Sequence, residues 1–304
     1  MTIATVGTSA ADIEYHYDVG NDFYQLWLDQ DLTYTAALWD GIEGDESDPA
    51  LLARAQHAKL AHHLDAVHAL APARPSEFRL LDVGCGWGSL AAYATRTGRV
   101  GEATGLTISR AQAEYVRSLG LPEVRARLES WDSYVPERPY DGVVTIGAFE
   151  HFAVAGMSPQ ERAATNAAFF AKAHGWLRPG GRLSLQTIAY DGAAGAEGPL
   201  GGFVVNDIFP GGTLPRLSEI ATACDPYFSV EFVRSSPDDY ARTLRSWSAR
   251  LLRARAEAER VVGAETVHRY RLYLRACEVT FLRRAATLYR IGLLRRDEPL
   301  RLAA

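Results

Sequence analysis

The 304-residue sequence predicts an α/β fold built on an open, mostly parallel sheet, and three observations carry that expectation. Short apolar runs of strand length alternate with amphipathic helical patterns from about Phe78 to Ile188, as a sheet with helical crossovers requires. The first run, Leu80-Leu81-Asp82-Val83, passes directly into Gly84-Cys85-Gly86-Trp87-Gly88-Ser89, a glycine turn that opens a helix. A Pro179-Gly180-Gly181 turn ends the last helix of the series and leads into a further apolar run.

The elements follow in chain order. Residues 1–11 are small and polar and are expected to fray. From Asp12 to Asp40 the chain is rich in aromatics, including Tyr15, Tyr17, Phe23, Tyr24, Trp27, Tyr34 and Trp39, which either pack onto the core or line an apolar pocket. Pro49 to Ala71 reads as a helix with Leu51, Leu52, Leu60, Leu64 and Val67 on its apolar face, and a proline-containing loop leads to a strand at Phe78 to Val83. Helix Ser89–Arg96, strand Glu102–Leu106, helix Arg110–Leu119 and strands Val124–Leu128 and Tyr140–Ile146 come next. Helix Pro159–Trp176 and strand Arg182–Ile188 complete the alternation. Ala189 to Pro215 is glycine-rich and is placed as a substrate-covering insertion, after which Pro237 to Arg296 reads as two or three amphipathic helices broken near Gly263. Three segments result: an N-terminal helical cap (1–75), a Rossmann-like core (76–190), and an insertion with final strands and C-terminal helices (191–304).

Composition narrows the function classes. A net charge of -5 offers no global basic field for nucleic acid. Cys85, Cys224 and Cys277 match no zinc or disulfide spacing and read as free thiols of a reducing, cytoplasmic compartment. The N-terminus lacks the basic and apolar regions of a signal peptide, and no apolar run is long enough to span a bilayer. These features lead to the expectation of a soluble cytoplasmic protein with no nucleic-acid partner and no stable membrane insertion.

The glycine turn points to a particular cofactor. Gly84, Gly86 and Gly88 let a backbone approach a ligand closely, but G-x-G-x-G is not the dinucleotide fingerprint and no phosphate-binding Lys-Ser or Lys-Thr follows. Asp82 at the mouth of the turn suits a cationic ligand better than a pyrophosphate. S-adenosylmethionine (SAM), with an ammonium at one end and a sulfonium at its reactive centre, fits both features. Sites at the ends of the next two strands complete the expected cradle. Thr107 and Gln112 can hold a ribose diol, with Ser109 as the N-cap of the following helix, a role it can combine with ligand contact. Ser130 and Trp131 lie after the third strand, where the indole either meets adenine, with Asp132 accepting from its amine, or packs in the core.

These residues are accompanied by a family pattern. Tyr15-His16-Tyr17-Asp18-Val19-Gly20-Asn21-Asp22-Phe23-Tyr24, Leu32-Thr33-Tyr34-Thr35, the glycine turn, Gly105-Leu106-Thr107-Ile108-Ser109 with Gln112, Ala148-Phe149-Glu150-His151-Phe152, Ile208-Phe209-Pro210-Gly211-Gly212 and Tyr240-Ala241-Arg242-Thr243-Leu244 with Trp247 stand in order from Tyr15 toward Arg296. The chain resembles the cyclopropane fatty acid synthase superfamily, which includes the mycolic acid cyclopropane synthases. The resemblance implies a class I SAM-dependent methyltransferase acting on a carbon–carbon double bond. It also implies SAM contacts from Tyr34, Thr35, Asp82, Gly84, Gly86, Gly88, Thr107, Gln112, Ser130, Trp131 and Ile146. In cyclopropane synthases of this family a bound bicarbonate removes a proton so that the ring can close. Of the residues resembling its ligands, Glu150 and Tyr240 are retained, whereas Ala36 stands in place of a cysteine and Gln186 in place of a histidine.

That departure implies the branch that C-methylates prenyl chains of natural products, resembling geranyl diphosphate and teleocidin C-methyltransferases. Glu150 is expected near the cation, oriented by Tyr240, with His151 directed toward structure or SAM. Tyr15, Tyr17, Tyr24, Phe149, Gln186, Phe203 and Phe209 are the expected acceptor contacts, the aromatics either lining the pocket or packing. No acidic cluster suited to a magnesium diphosphate is evident, and Arg250, Arg253 and Arg255 have the spacing of a solvated helix face. The aromatic N-terminal segment can close its own site or, in a homo-oligomer, a neighbour's.

Overall fold

A computed structural model describes residues 20–68, 74–154, 156–191 and 213–300. Seven strands form one sheet: β1 (Arg79–Val83), β2 (Glu102–Thr107), β3 (Val124–Leu128), β4 (Tyr140–Ile146), β5 (Leu177–Tyr190), β6 (Phe228–Ser235) and β7 (Ala286–Arg295). Their order is β3-β2-β1-β4-β5-β7-β6; β1 to β5 run parallel, and β7 lies antiparallel to both β5 and β6. Strand order reverses between β1 and β4, so the crevice beyond their carboxyl ends is the place for a ligand.

The described helices are α1 (Asn21–Gln25), α2 (Pro49–His68), α3 (Ser89–Arg96), α4 (Arg110–Ser118), α5 (Pro159–Trp176), α6 (Leu217–Cys224), α7 (Pro237–Arg253), α8 (Arg255–Val262) and α9 (Ala264–Leu282). Local chemistry sets several of their starts. Ser158 caps α5 in a reciprocal pair: its hydroxyl accepts from Glu161 N–H at 3.2 Å, the Glu161 carboxylate accepts from Ser158 N–H at 2.7 Å, and Pro159 opens the helix. Ser109 caps α4 by accepting from Gln112 N–H, as its position predicts. Among the described residues no helix is long and apolar enough to cross a membrane, and all three cysteines are free and buried.

The C-terminal segment departs from expectation. Ala286 to Arg295, read in the sequence as helix, is strand β7, and α6 and β6 precede the C-terminal helices. β7 is inserted between β5 and β6, so most of its length is buried. A strand covered on both faces loses the polar alternation that would distinguish it from a helix. β5 also runs longer than its expected Arg182–Ile188 core.

The N-terminal aromatics hold the cap to the helical layer. Phe23, Tyr24 and Trp27 are buried against one another and against Tyr34, Trp247 and Tyr270, with ring centroids 4.9–6.4 Å apart in edge-on and tilted arrangements. Arg250 contributes directly and is not a solvated arginine: its guanidinium donates to the carbonyls of Trp27 (2.8 Å) and Leu28 (2.7 Å), both left open by the end of α1. Arg255 pairs with Glu259 on an exposed face, and Arg253 is likewise exposed. Thr243 on α7 accepts from Ala37 N–H and Trp39 Nε1–H, both at 3.0 Å. The loop after α1 is thereby fixed across the mouth of the crevice.

Candidate active site

A cavity of about 270 Å³ occupies that crevice. Its first half is built on the sheet. Gly84 and Cys85 N–H both donate to Leu106 O (3.0 and 2.9 Å), tying the glycine turn to β2. Gly84, Gly86 and Gly88 all have left-handed φ, at 77°, 55° and 80°. A Cβ on Gly84 would overlap that of Ala148, whereas one on Gly86 would meet nothing within 4 Å. Gly88 is absent from the cavity wall; a Cβ there would come within 2.9 Å of Val116, so this glycine serves the packing of α3 against α4.

Asp82, Thr107, Gln112, Ser130, Trp131 and Ile146 line this half, and Tyr34 and Thr35 reach it from the N-terminal loop. The Thr107 hydroxyl accepts from Ser109 N–H (3.1 Å) and donates to Gln112 Oε1 (2.8 Å), so the Gln112 amide nitrogen is left as the donor for a diol. Trp131 both lines and packs: it lies against Phe152 and Phe169 at 5.0 and 5.6 Å. Asp132 is not in the wall; Glu129 is.

Sequence reasoning missed Lys59 on α2. It is buried, lines the cavity and donates to Thr35 Oγ1 at 3.0 Å. Burial pushes Asp82 up to about 7, opposed by the Lys59 charge. Burial likewise pushes Lys59 down to about 7, opposed by Asp29. An ammonium pairs only with the ionised Asp82 carboxylate, so SAM affinity is expected to fall by up to about tenfold per pH unit as pH drops below about 7. Protonation of Lys59 over the same range repels a cation and acts in the same direction. Calorimetric titrations should find SAM binding weakened by about 10- to 100-fold in Asp82→Asn, with a shallower pH dependence. An unchanged profile would remove Asp82 from the cofactor contacts.

The second half is apolar and meets a buried carboxyl. Glu150 accepts from the Thr187 hydroxyl at 2.9 Å and from the Ile188 backbone, and burial raises it to about 7. β5 thus orients this carboxyl, and the Tyr240 ring packs on Phe281 at 4.4 Å. Tyr240, Gln186 and His151 line the cavity together with Glu150. Phe149 points elsewhere, into a cluster with Phe152, Phe169 and Phe170, and Tyr24 belongs to the aromatic packing of α1; neither is in the wall. Tyr15, Tyr17, Phe203 and Phe209 lie outside the described residues.

The remaining wall comes largely from α7 and α9: Leu244 and Trp247 follow Tyr240 at helical spacing, and Tyr273, Cys277 and Phe281 form a second stripe. Such i, i+4 stripes are also the pattern of ordinary core, so spacing alone does not mark them as a pocket wall. Ile188 and Leu288 add the ends of β5 and β7.

The fold and the cofactor half together define a class I SAM-dependent methyltransferase, whose groups fit SAM by the glycine cradle and the carboxylate beside it. The family model for mycolic acid cyclopropane synthetase matches residues 5–291, and the chain belongs to that family. Cyclopropane mycolic acid synthase 1 of Mycobacterium tuberculosis is 34% identical over 300 residues, covering 93% of each chain. The crystal structure of the mycolic acid cyclopropane synthase CmaA1 complexed with SAH and CTAB superposes with a TM-score of 0.79 at 30% identity, covering 95% of this chain and 99% of that one. Geranyl diphosphate C-methyltransferase of Streptomyces coelicolor shares the fold, with a TM-score of 0.68 at 18% identity over 97% of this chain and 100% of that chain.

Proposed function

We propose that the protein transfers the methyl group of SAM to an alkene carbon in a prenyl or terpenoid group of a small natural product. The observation that carries this reading is the acceptor half itself: an aromatic and aliphatic wall that includes one buried carboxyl, Glu150. An alkene needs no proton removed before it reacts, so an apolar wall suffices to bind and aim it. When bound, SAM would supply an electrophilic methyl group: the alkene π electrons would form the new C–C bond as the S–CH3 bond breaks, leaving neutral S-adenosylhomocysteine and the positive charge on a substrate carbon.

The chain's residues then govern that cation. Tyr34, Tyr240, Trp247, Tyr273 and Phe281 present rings in the wall, each able to stabilise a cation by about 0.5–2 kcal/mol. The enclosure excludes water that would capture the cation. Glu150 stabilises it and takes the proton that it loses. A trisubstituted prenyl alkene yields a tertiary cation, the easier one to form. Ala36 and Gln186 supply neither the thiol nor the imidazole expected of a cyclopropane-forming site.

A second reading, cyclopropanation of an unsaturated lipid, is favoured by the 34% identity to a cyclopropane mycolic acid synthase. Isotope-labelled SAM incubated with prenylated indoles, geranyl diphosphate, an alkaloid-type amine and unsaturated phospholipid vesicles separates the readings. The expected product carries one labelled methyl on a former alkene carbon of a prenyl compound, seen by mass spectrometry and NMR. A labelled cyclopropane in the lipid, or label on nitrogen with prenyl compounds untouched, would replace the proposal.

A further inference from the structure

Arg290 on β7 has 0% exposure and spends its guanidinium on three separate parts of the acceptor half. Nε donates to Gln186 Oε1 at 2.9 Å, Nη1 to Asp239 Oδ2 at 3.0 Å, and Nη2 to Ala37 O at 2.8 Å. Gln186 is in the cavity wall, Asp239 immediately precedes Tyr240 at the start of α7, and Ala37 follows Ala36 in the N-terminal loop. One buried side chain on β7 therefore joins β5, α7 and the loop that closes the cavity.

The bonds also fix which end of the Gln186 amide is which. A guanidinium only donates, so the atom facing it must be the carbonyl oxygen. His63 Nε2 lies 3.3 Å from the same oxygen and His63 Nδ1 lies 2.8 Å from Ser184 Oγ. The proton is then on His63 Nε2, and Ser184 donates to Nδ1. Burial holds this imidazole well below its usual range, in keeping with a neutral ring. With Oε1 turned to Arg290 and His63, the amide nitrogen is the end left beside Ala36, to whose carbonyl it makes a long bond of 3.4 Å. One of its two hydrogens suffices for that bond.

We propose that Arg290 is the positioning residue of the acceptor half, and that the Gln186 Nε2 it fixes donates a hydrogen bond to an oxygen on the methyl acceptor. The acceptor class is thereby narrowed to alkenes with a hydroxyl or carbonyl group near the reacting carbon. This inference rests on the reading of that half as the acceptor pocket.

Two measurements test it. In the cofactor-saturated protein, the side-chain amide signals of Gln186, identified by their loss in Gln186→Leu, should exchange slowly with solvent. They should exchange at least about tenfold faster in Arg290→Lys, whose single ammonium cannot serve all three acceptors, and in Arg290→Met where that variant folds. SAM affinity should stay within about twofold in Arg290→Lys, because a defect confined to the acceptor half leaves the cofactor half intact. Unaltered amide exchange, or an equal loss of SAM affinity, would overturn the positioning role. For the donor, geraniol and its hydrocarbon analogue lacking the hydroxyl are titrated against the SAH complex by tryptophan fluorescence. Geraniol should bind about tenfold more tightly than the hydrocarbon, and Gln186→Leu and Gln186→Glu should both abolish that difference. Equal binding in the unaltered protein would overturn the donor. Binding that discriminates without methylation of either compound would leave this inference standing and count against alkene methylation.

Discussion

Glu150→Gln is expected to lower methyl transfer by about 10²–10⁴-fold while leaving the SAM dissociation constant within about threefold. The substitution keeps size and shape, and the Thr187 hydroxyl that donates to the carboxylate can donate equally to an amide oxygen. It removes the charge facing the cation and the group that takes its proton. Stability should move the opposite way. Burial raises the folded-state Glu150 carboxyl from 4.5 to about 7, so its stabilising contribution is present below 4.5 and is lost as pH rises through about 7. At pH 8 the neutral glutamine should therefore make the protein more stable, by a margin on the order of 3 kcal/mol. A purely structural Glu150 would give the reverse pattern of near-normal turnover and a lower melting temperature. The rate of the unaltered enzyme should also fall below about pH 7 as Glu150 protonates, a limb missing from whatever activity the variant retains.

The coincidence of lost activity and gained stability follows from where Glu150 sits. A carboxyl next to a forming cation must be shielded from water to act, and that shielding makes its charge costly in the resting protein. Asp82, also in the cavity wall, has the same character: burial raises it to about 7 against the opposing Lys59 charge. On the proposed reading each meets a positive group that arrives with the ligands: the cofactor ammonium for Asp82, the substrate cation for Glu150.

How much of this was legible depended on whether a residue's role is local. The glycine turn, Asp82, the Thr107–Gln112 pair and the strand-helix alternation are set by neighbours a few positions away, and their pattern reads directly from the chain. β7 was not legible because it is buried between β5 and β6, and a run covered on both faces has no alternating polar face. Lys59 and Arg290 were illegible for another reason. Each is a single charged residue with no motif around it, and only the fold shows that one lines the cavity and the other bonds to residues 253, 104 and 51 positions away. Phe149 misled in the opposite direction: it stands beside Glu150 in the sequence, yet its ring is buried with Phe169 and Phe170.

Gly84→Ala is expected to raise the SAM dissociation constant by about 30-fold or more, from two separable causes. The residue has φ 77°, where a side chain costs about 1–2 kcal/mol. Its new methyl would also overlap the Ala148 methyl, and relieving such overpacking costs about 1–3 kcal/mol. Ala148 begins the turn that carries Glu150 and His151, so a glycine loop pushed off Ala148 disturbs cofactor and acceptor halves together. The double variant Gly84→Ala, Ala148→Gly removes the overlap and leaves only the backbone cost. Calorimetry should find about tenfold or more of the SAM affinity restored in the double variant, while Ala148→Gly alone changes it little. If the double variant is no better than Gly84→Ala, the contact between the glycine turn and the Glu150 turn is not what requires glycine at this position. The requirement would then lie in backbone conformation and in the space the cofactor itself needs.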